Sequence, residues 1–293
     1  MSESLHRQQE VPVPGGEFAF SWSDFRMIAG LVHAGSGIVL NEGKANLVYS
    51  RLVKRLRLLG LGSFREYCTL VSGKDGADER QAMIAAMTTN VTRFFREEHH
   101  FDYLKASVLP SLLDRARRGG RVRMWSSACS SGEEPYSLAL TVLSLMGDAP
   151  DHDLLILASD LDPNMVARAR AGTYDVRQLD SIPHDLRAKW FKAQRSRSAI
   201  SYEIADAPRR LIRFRELNLL DPWPMKGRFD VIFCRNVMIY FDEETQNRIW
   251  QRFAQILEPD GILCIGHSER IPASLSFELV AQTTYRLRPG AVA

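Results

Sequence analysis

The segment Ser126-Ser127-Ala128-Cys129-Ser130-Ser131-Gly132-Glu133-Glu134-Pro135-Tyr136 is a turn of small residues leading from an apolar run into a helical pattern. Small residues let backbone approach a ligand closely, and in parallel α/β sheets ligands bind beyond the carboxyl ends of strands. The segment is not GxGxxG, and it presents two acids where a dinucleotide pyrophosphate would be repelled. A ligand carrying positive charge suits it better. Glu134 has two readings on spacing alone: a ligand, or a capping-box partner of Ser131 three residues earlier, which spacing slightly favours.

Further polar residues follow each later apolar run. Ser159-Asp160-Leu161-Asp162-Pro163 offers an acid where nucleoside-binding folds hold ribose hydroxyls. Asp162 before Pro163 is explained as a helix N-cap followed by proline at the first helical position, so Asp160 is the better ligand candidate. Asn218-Leu219-Leu220 could recognise a base or simply form an asparagine turn. Cys234-Arg235-Asn236-Val237-Met238-Ile239-Tyr240-Phe241-Asp242 ends a buried strand in Arg-Asn, and Asp242 reads as a helix cap. Thr88 to Arg96 is dense in hydrogen-bonding groups beside Phe94 and Phe95, whereas connecting segments are usually bland. The His99-His100 pair gives no metal site on this reading, because adjacent helical residues face different ways and HExxH is missing; an exposed helical surface is expected there.

The elements that must position these residues change character at Arg121. Before it the pattern is helical. Ser23-Asp24 can cap a helix through Phe25, Ile28 and Val32 that ends at Gly35/Gly37, and a second helix over 44–59 stripes Val48, Leu52, Leu56 and Leu59. Short helices follow at 63–72 and 78–87. After Arg121, β-rich runs at 122–126, 154–159, 212–217, 229–234 and 262–266 alternate with helices at 133–145, 163–171 and 243–257. That alternation predicts a mostly parallel sheet with helices on both faces. A hairpin at 277–280 and 283–287 closes the chain. The stretch 174–213 breaks the alternation and is too long for a loop, so it reads as an inserted subdomain. Residues 1–17 read as a disordered leader, 18–88 as a small all-α domain and 89–293 as the α/β domain.

Composition narrows the function classes. The chain has 293 residues, 45% hydrophobic and 25% charged, with a net charge of +3. This excludes a histone-like basic protein and an acidic disordered chain. No apolar run approaches a membrane span, and the N-terminus is not a signal peptide, so a cytoplasmic protein is expected. Four dispersed cysteines make neither a disulfide framework nor a zinc cluster. Residues 1–120 carry all of the net charge. Within them Lys44, Arg51, Lys54, Arg55, Arg57 and Arg65 form a basic run with no acid between. Nucleic acid is not expected as its partner, for want of interleaved aromatics or a groove-reading motif.

Five motifs in order, TTNVTRFFREEHHF (88–101), WSSACSSGEEPYSLA (125–139), ASDLD (158–162), FRELNLL (214–220) and FCRNVMIYF (233–241), carry a resemblance. From about Phe20 to Arg288 the chain resembles the CheR-type chemoreceptor glutamate O-methyltransferases. These transfer methyl from S-adenosylmethionine (SAM) to receptor glutamates, releasing S-adenosylhomocysteine. The resemblance implies a Rossmann-like SAM-dependent methyltransferase domain with a small all-α N-terminal domain and an inserted antiparallel β-subdomain at about 174–213. It implies cofactor contacts from Asn90, Thr92, Arg96, Glu134, Asp160, Asn218, Leu219, Arg235 and Asn236. Asp160 would take the ribose and Asn218-Leu219 the adenine. Arg96 and Tyr240 would lie nearest the transferred methyl, and Arg51, Lys54, Arg55 and Arg57 would recognise cytoplasmic receptor helices. Neither a metal nor membrane insertion is implied. Some members tether to a receptor pentapeptide through a glycine-bearing loop. The corresponding residues, 192–201, hold no glycine, which points to direct recognition of the methylation region.

Three other readings compete. They are a SAM-dependent methyltransferase acting on nucleic acid or a small molecule, a non-catalytic SAM sensor, and, weakest, an NAD(P) dehydrogenase.

Overall fold

The computed structural model describes residues 16–195, 200–288 and 290. Most of the expected leader and residues 196–199 of the glycine-free stretch lie outside the described residues. The chain forms two compact units. One runs up to Thr89 and takes in Tyr240–Asp242; the other comprises Asn90–Ile239 and the chain from Glu243 onward.

The first unit is built from α1 (Trp22–Ser36), α2 (Ala45–Leu59), α3 (Phe64–Ser72) and α4 (Ala77–Met87). The start of α1 differs from expectation. Ser21 is the cap, in a reciprocal capping box with Asp24, while Gly35 stays helical and Gly37 ends the helix at φ 74°. Phe25, Ile28, Val32, Val48, Leu52 and Leu56 are buried as their spacing requires, but Leu59 at the end of the stripe is 39% exposed. Phe20 and Phe64 pack with ring centroids 4.4 Å apart at the centre of an aromatic cluster with Phe25 and Tyr49. Residues 240–242 join this unit: Val39 N donates to Tyr240 O at 2.8 Å, Ile38 bridges Phe241, and His33 Nε2 lies 2.7 Å from Asp242 Oδ2.

The second unit opens with α5 (His99–Tyr103), a π-helical turn (Leu104–Val108) and α6 (Leu109–Arg117). Then follow β1 (Val122–Ser126), α7 (Glu133–Leu145), β2 (Leu154–Asp160), α8 (Pro163–Ala171), β3 (Thr173–Asp175), α9 (His184–Trp190), β4 (Phe191–Arg195) and β5 (Ile200–Ile204). The chain completes with α10 (Asp206–Arg210), β6 (Ile212–Glu216), β7 (Phe229–Cys234), α11 (Glu243–Ile256), β8 (Leu257–Ile265), β9 (Phe277–Ala281) and β10 (Thr284–Leu287).

The main sheet has the order β6-β2-β1-β7-β8-β10-β9. Its first five strands are parallel and the last two form the expected antiparallel hairpin. β7 is buried at every position, the pattern of a strand covered on both faces. The chain leaves β1 toward β2 and β6, then returns to place β7 on the other side of β1. The strand order therefore reverses between β1 and β7, where a parallel sheet opens a crevice at its carboxyl edge.

The insertion is a separate three-stranded antiparallel sheet of order β3-β5-β4. It shares the core of this unit: Tyr174 and Phe191 pack their rings edge-on against Phe94, at 4.9 and 5.6 Å. Gly132, at φ 99°, gives the turn after β1 its close approach. A Cβ there would lie 2.9 Å from both the Ala169 Cβ and the Tyr174 hydroxyl.

Candidate functional site

The turns after β1, β2 and β7 and the segment 90–97 converge through hydrogen bonds within the second unit. Asp160, at the end of β2 and 8% exposed, accepts Ser130 N on Oδ2 at 2.8 Å and Asp162 N on Oδ1 at 2.9 Å. The Leu161 amide also acts on this carboxylate, so three main-chain donors fix it and accepting capacity remains for a ligand hydroxyl. Burial pushes the Asp160 carboxyl up from its ordinary value, against the pull of those amides. Ser130 sits in the left-handed region at φ 47° and donates its hydroxyl to Asn90 O at 3.2 Å. Asn90 Nδ2 in turn donates to Asp162 at 3.2 Å. Asp162 also accepts Asn164 N at 2.9 Å, so it is the expected N-cap of α8.

Glu134 is not the capping partner of Ser131. The N-cap of α7 is Gly132, and the Ser131 hydroxyl donates to Glu133 instead, at 2.7 Å. Freed of that duty, Glu134 accepts the Ser126 hydroxyl at 2.8 Å and Arg235 Nη1 at 3.2 Å. Burial raises its pKa, opposed by the Arg235 charge. The Arg235 side chain is 1% exposed and also lies 3.4 Å from Glu97 Oε2, with a further hydrogen bond to Arg96 O. One guanidinium thus binds the turn after β1, the turn after β7 and the 90–97 segment together.

Glu97 was not among the sequence candidates, though it adjoins Arg96. Burial pushes its carboxyl up, but the His267 ring at 2.9 Å and the Arg235 charge outweigh this and hold it at about 2. Phe95, Glu97, Ser130 and Asn236 all have positive φ without being glycine. Such backbone costs on the order of 1–3 kcal/mol per residue and gathers where a fold holds a site in place.

The asparagine turn at Asn218 is real: its Oδ1 accepts Leu220 N at 3.0 Å. Leu219 O is gripped by Trp223 Nε1 at 3.2 Å and Arg252 Nη1 at 2.6 Å, and the Arg252 guanidinium stacks 4.0 Å over the Trp223 ring. Neither residue was singled out in the sequence. Thr92 is half-buried, and Arg96 donates Nη1 to Val91 O at 2.9 Å.

Two expectations about charged residues change. His100 is buried rather than on an exposed surface, and the His99 and His100 rings stand 4.1 Å apart, each with Nε2 on the Thr283 hydroxyl. Among the described residues, Glu97, His99 and His100 bring one ligand atom each within 4.8 Å of one another. A cation there would sit against the Arg235 guanidinium, which already neutralises Glu97. The basic run on α2 is also less available than its sequence implies, because the first unit supplies acids from elsewhere. Arg51 holds the end of α4 through Ala86 O at 3.1 Å and Thr89 Oγ1 at 3.1 Å. Arg55 pairs with Glu79 and Arg57 with Glu17, while Lys54 is exposed.

Burial, then the Arg235 charge, lowers the His100 pKa to about 3. In the unfolded chain it binds a proton near pH 6.5, so between those values the unfolded state holds more protons. Its contribution to stability is full above pH 6.5 and is lost as pH falls toward 3. Thermal melts of His100→Gln should show a flatter pH dependence than the parent between pH 6.5 and 4. Parallel curves would contradict this.

The family description "CheR methyltransferase, all-alpha domain" matches residues 23–88, and "CheR methyltransferase, SAM binding domain" matches residues 90–286. The chain belongs to the CheR methyltransferase family. Among CheR relatives, the probable chemotaxis protein methyltransferase of Rhizobium etli is 54% identical, over 87% of this chain and 96% of its own. Chemotaxis protein methyltransferase 2 of Pseudomonas aeruginosa is 42% identical over 94% and 96%. The chemotaxis protein methyltransferase of Escherichia coli is 41% identical over 92% of each chain. This CheR protein is therefore a SAM-dependent methyltransferase. Burial makes ionisation of Glu134 and Asp160 costly, and a cationic cofactor such as SAM is of the charge that offsets that cost.

Proposed function

We propose that this protein transfers the methyl of SAM to glutamate side chains on the cytoplasmic helices of chemoreceptors, forming methyl esters during sensory adaptation, and that it works in the cytoplasm. The observation that carries the reading is likeness to chemotaxis methyltransferases over nearly the whole of both chains. Among the described residues no helix is long and apolar enough to cross a membrane.

SAM supplies an activated methyl on a good leaving group. A glutamate with pKa about 4.3 is already a carboxylate near pH 7, so this chain needs no general base. Its work is to hold both partners in line and exclude water, which supplies up to about 7–11 kcal/mol in favourable systems. Asp160 holds the ribose, Asn218-Leu219 the adenine, and Glu134 with Arg235-Asn236 the methionine half, with Asn90 and Thr92 completing the cofactor site. Arg96 orients the receptor carboxylate. A guanidinium carries five N–H donors, so its bond to Val91 O leaves capacity for a bidentate pair. Tyr240 is the second positioning group by the family likeness. On α2, Lys54 is left to steer acidic helices, while Arg51, Arg55 and Arg57 are engaged within their own unit.

The test is transfer of labelled methyl from SAM to a receptor cytoplasmic fragment. Label released as methanol by mild base supports an ester; base-stable label, or transfer to nucleic acid instead, overturns the reading. Direct recognition predicts a further result. Calorimetry with a receptor C-terminal pentapeptide should give no heat at micromolar concentrations, and micromolar binding would show that tethering operates.

A further inference from the structure

A buried carboxylate outside the residues assigned so far holds the turn that carries Arg235 and Asn236. Glu269, in the Gly266-His267-Ser268-Glu269 turn after β8, is 3% exposed. Its Oε1 accepts Val237 N and Met238 N, both at 2.8 Å, and its Oε2 accepts Gly266 N. The Asn236 amide also acts on the same carboxylate. Four main-chain donors thus converge on one side chain. Only a group with two accepting oxygens satisfies such a cage, and an ionised carboxylate does so most strongly.

The turn it holds is not a relaxed one. Asn236 lies at φ 57°, in a region that costs a non-glycine residue energy. Its fit against the neighbouring strand end is close: a Cβ on Gly266 would fall 2.6 Å from Asn236 Nδ2, 2.8 Å from its N and 2.8 Å from Glu269 Oε2. Asn236 Nδ2 reaches Glu97 Oε1 at 3.4 Å, and Arg235 binds Glu97 and Glu134. The orientation of the Arg-Asn pair is therefore set from both sides, by Glu97 and Glu134 on the side chains and by Glu269 on the backbone.

We infer that Glu269 is a positioning residue for cofactor binding, acting through the Asn236–Met238 turn on the methionine half of SAM and not on its nucleoside. The inference rests on the reading of Arg235-Asn236 as methionine contacts. A carboxylate that merely stitched β7 to β8 would, when altered, weaken every ligand alike. A positioning group discriminates between parts of the ligand.

Glu269→Gln keeps the shape but turns an amide donor against main-chain donors. In the full-length protein it should weaken S-adenosylhomocysteine at least about tenfold by calorimetry, while 5′-methylthioadenosine, which lacks the amino-acid portion, changes less than about twofold. In the methylation assay the KM for SAM should rise and the KM for receptor stay unchanged. Gly266→Ala leaves the carboxylate and crowds the same turn, and it should give the same split if Glu269→Gln fails to fold. Equal weakening of both ligands, or unchanged S-adenosylhomocysteine affinity, overturns the inference. Asn236→Ala separates the two layers. If it leaves S-adenosylhomocysteine affinity unchanged, the methionine reading fails and the inference with it. If it weakens binding while Glu269→Gln does not, the inference alone fails.

Discussion

Arg96→Ala should lower methyl transfer at saturating SAM by about a hundredfold or more, a loss that added cofactor does not restore. The nucleophile is a carboxylate that must meet the sulfonium methyl in line, and a misplacement of about 1 Å can cost that much. Arg96 stands on the 90–97 segment, whose path is held by Arg235 on the Arg96 carbonyl and by Ser137 Oγ accepting Phe95 N at 2.9 Å. Its backbone is fixed while its guanidinium stays half exposed, which is what a group aimed at an incoming carboxylate requires. Arg96→Lys should recover little, because an ammonium lacks the two parallel donors. Tyr240→Phe removes one hydroxyl and should cost less than Arg96→Ala. Full methylation by Arg96→Ala at saturating SAM would remove the residue from the reaction.

The second large effect is on binding. Asp160→Ala should weaken both SAM and S-adenosylhomocysteine by about a hundredfold, since a hydrogen bond from a ribose hydroxyl to a charged group is worth about 1.5–3 kcal/mol. The loss should appear equally for 5′-methylthioadenosine, because the ribose is common to all three. Burial raises the Asp160 and Glu134 pKa values, so both carboxylates take up protons sooner than ordinary ones as pH falls. The ionised forms suit a cationic ligand, and parent affinity for SAM should therefore fall with falling pH. Asp160→Asn should shrink that dependence. Calorimetry across pH checks both statements, and an Asp160→Ala protein with parent affinity would sink the ribose assignment.

How much of this was legible beforehand differs from residue to residue. The limits of β1, β7, α7 and α8 are visible in the sequence: β1 and β7 are short, mostly apolar runs, α7 follows a turn of small residues, and α8 starts at Asp162-Pro163. The start of β8 was not. Its first half, Glu258-Pro259-Asp260-Gly261, has the composition of a turn, yet it continues into the strand through an irregular pairing with β7. Ser21 and Ser23 are equally able to cap α1, and only the Asp24 capping box selects the first. Site residues at strand ends were legible because topology puts them there. Glu97, Glu269 and Arg252 were not, since each reaches partners more than 30 residues away, as Val237 with Glu269 shows at a separation of 32; Trp223 bonds Leu219 four residues away but gains its place through Arg252. The basic run misled in the same way. Its acid partners Glu79 and Glu17 lie 24 and 40 residues from Arg55 and Arg57. A local window cannot show that a charge is already answered across the fold.

The central claim is that the methyl acceptor is a receptor glutamate. Peptide mapping by mass spectrometry, after incubating the full-length protein with SAM and a receptor cytoplasmic fragment, tests it most directly. Methyl groups are expected on glutamate side chains of the helical methylation region, removed by mild base and missing when Arg96→Ala replaces the parent. Methyl groups on lysine, arginine or other nitrogen, or an unmodified receptor beside an active enzyme, would contradict it.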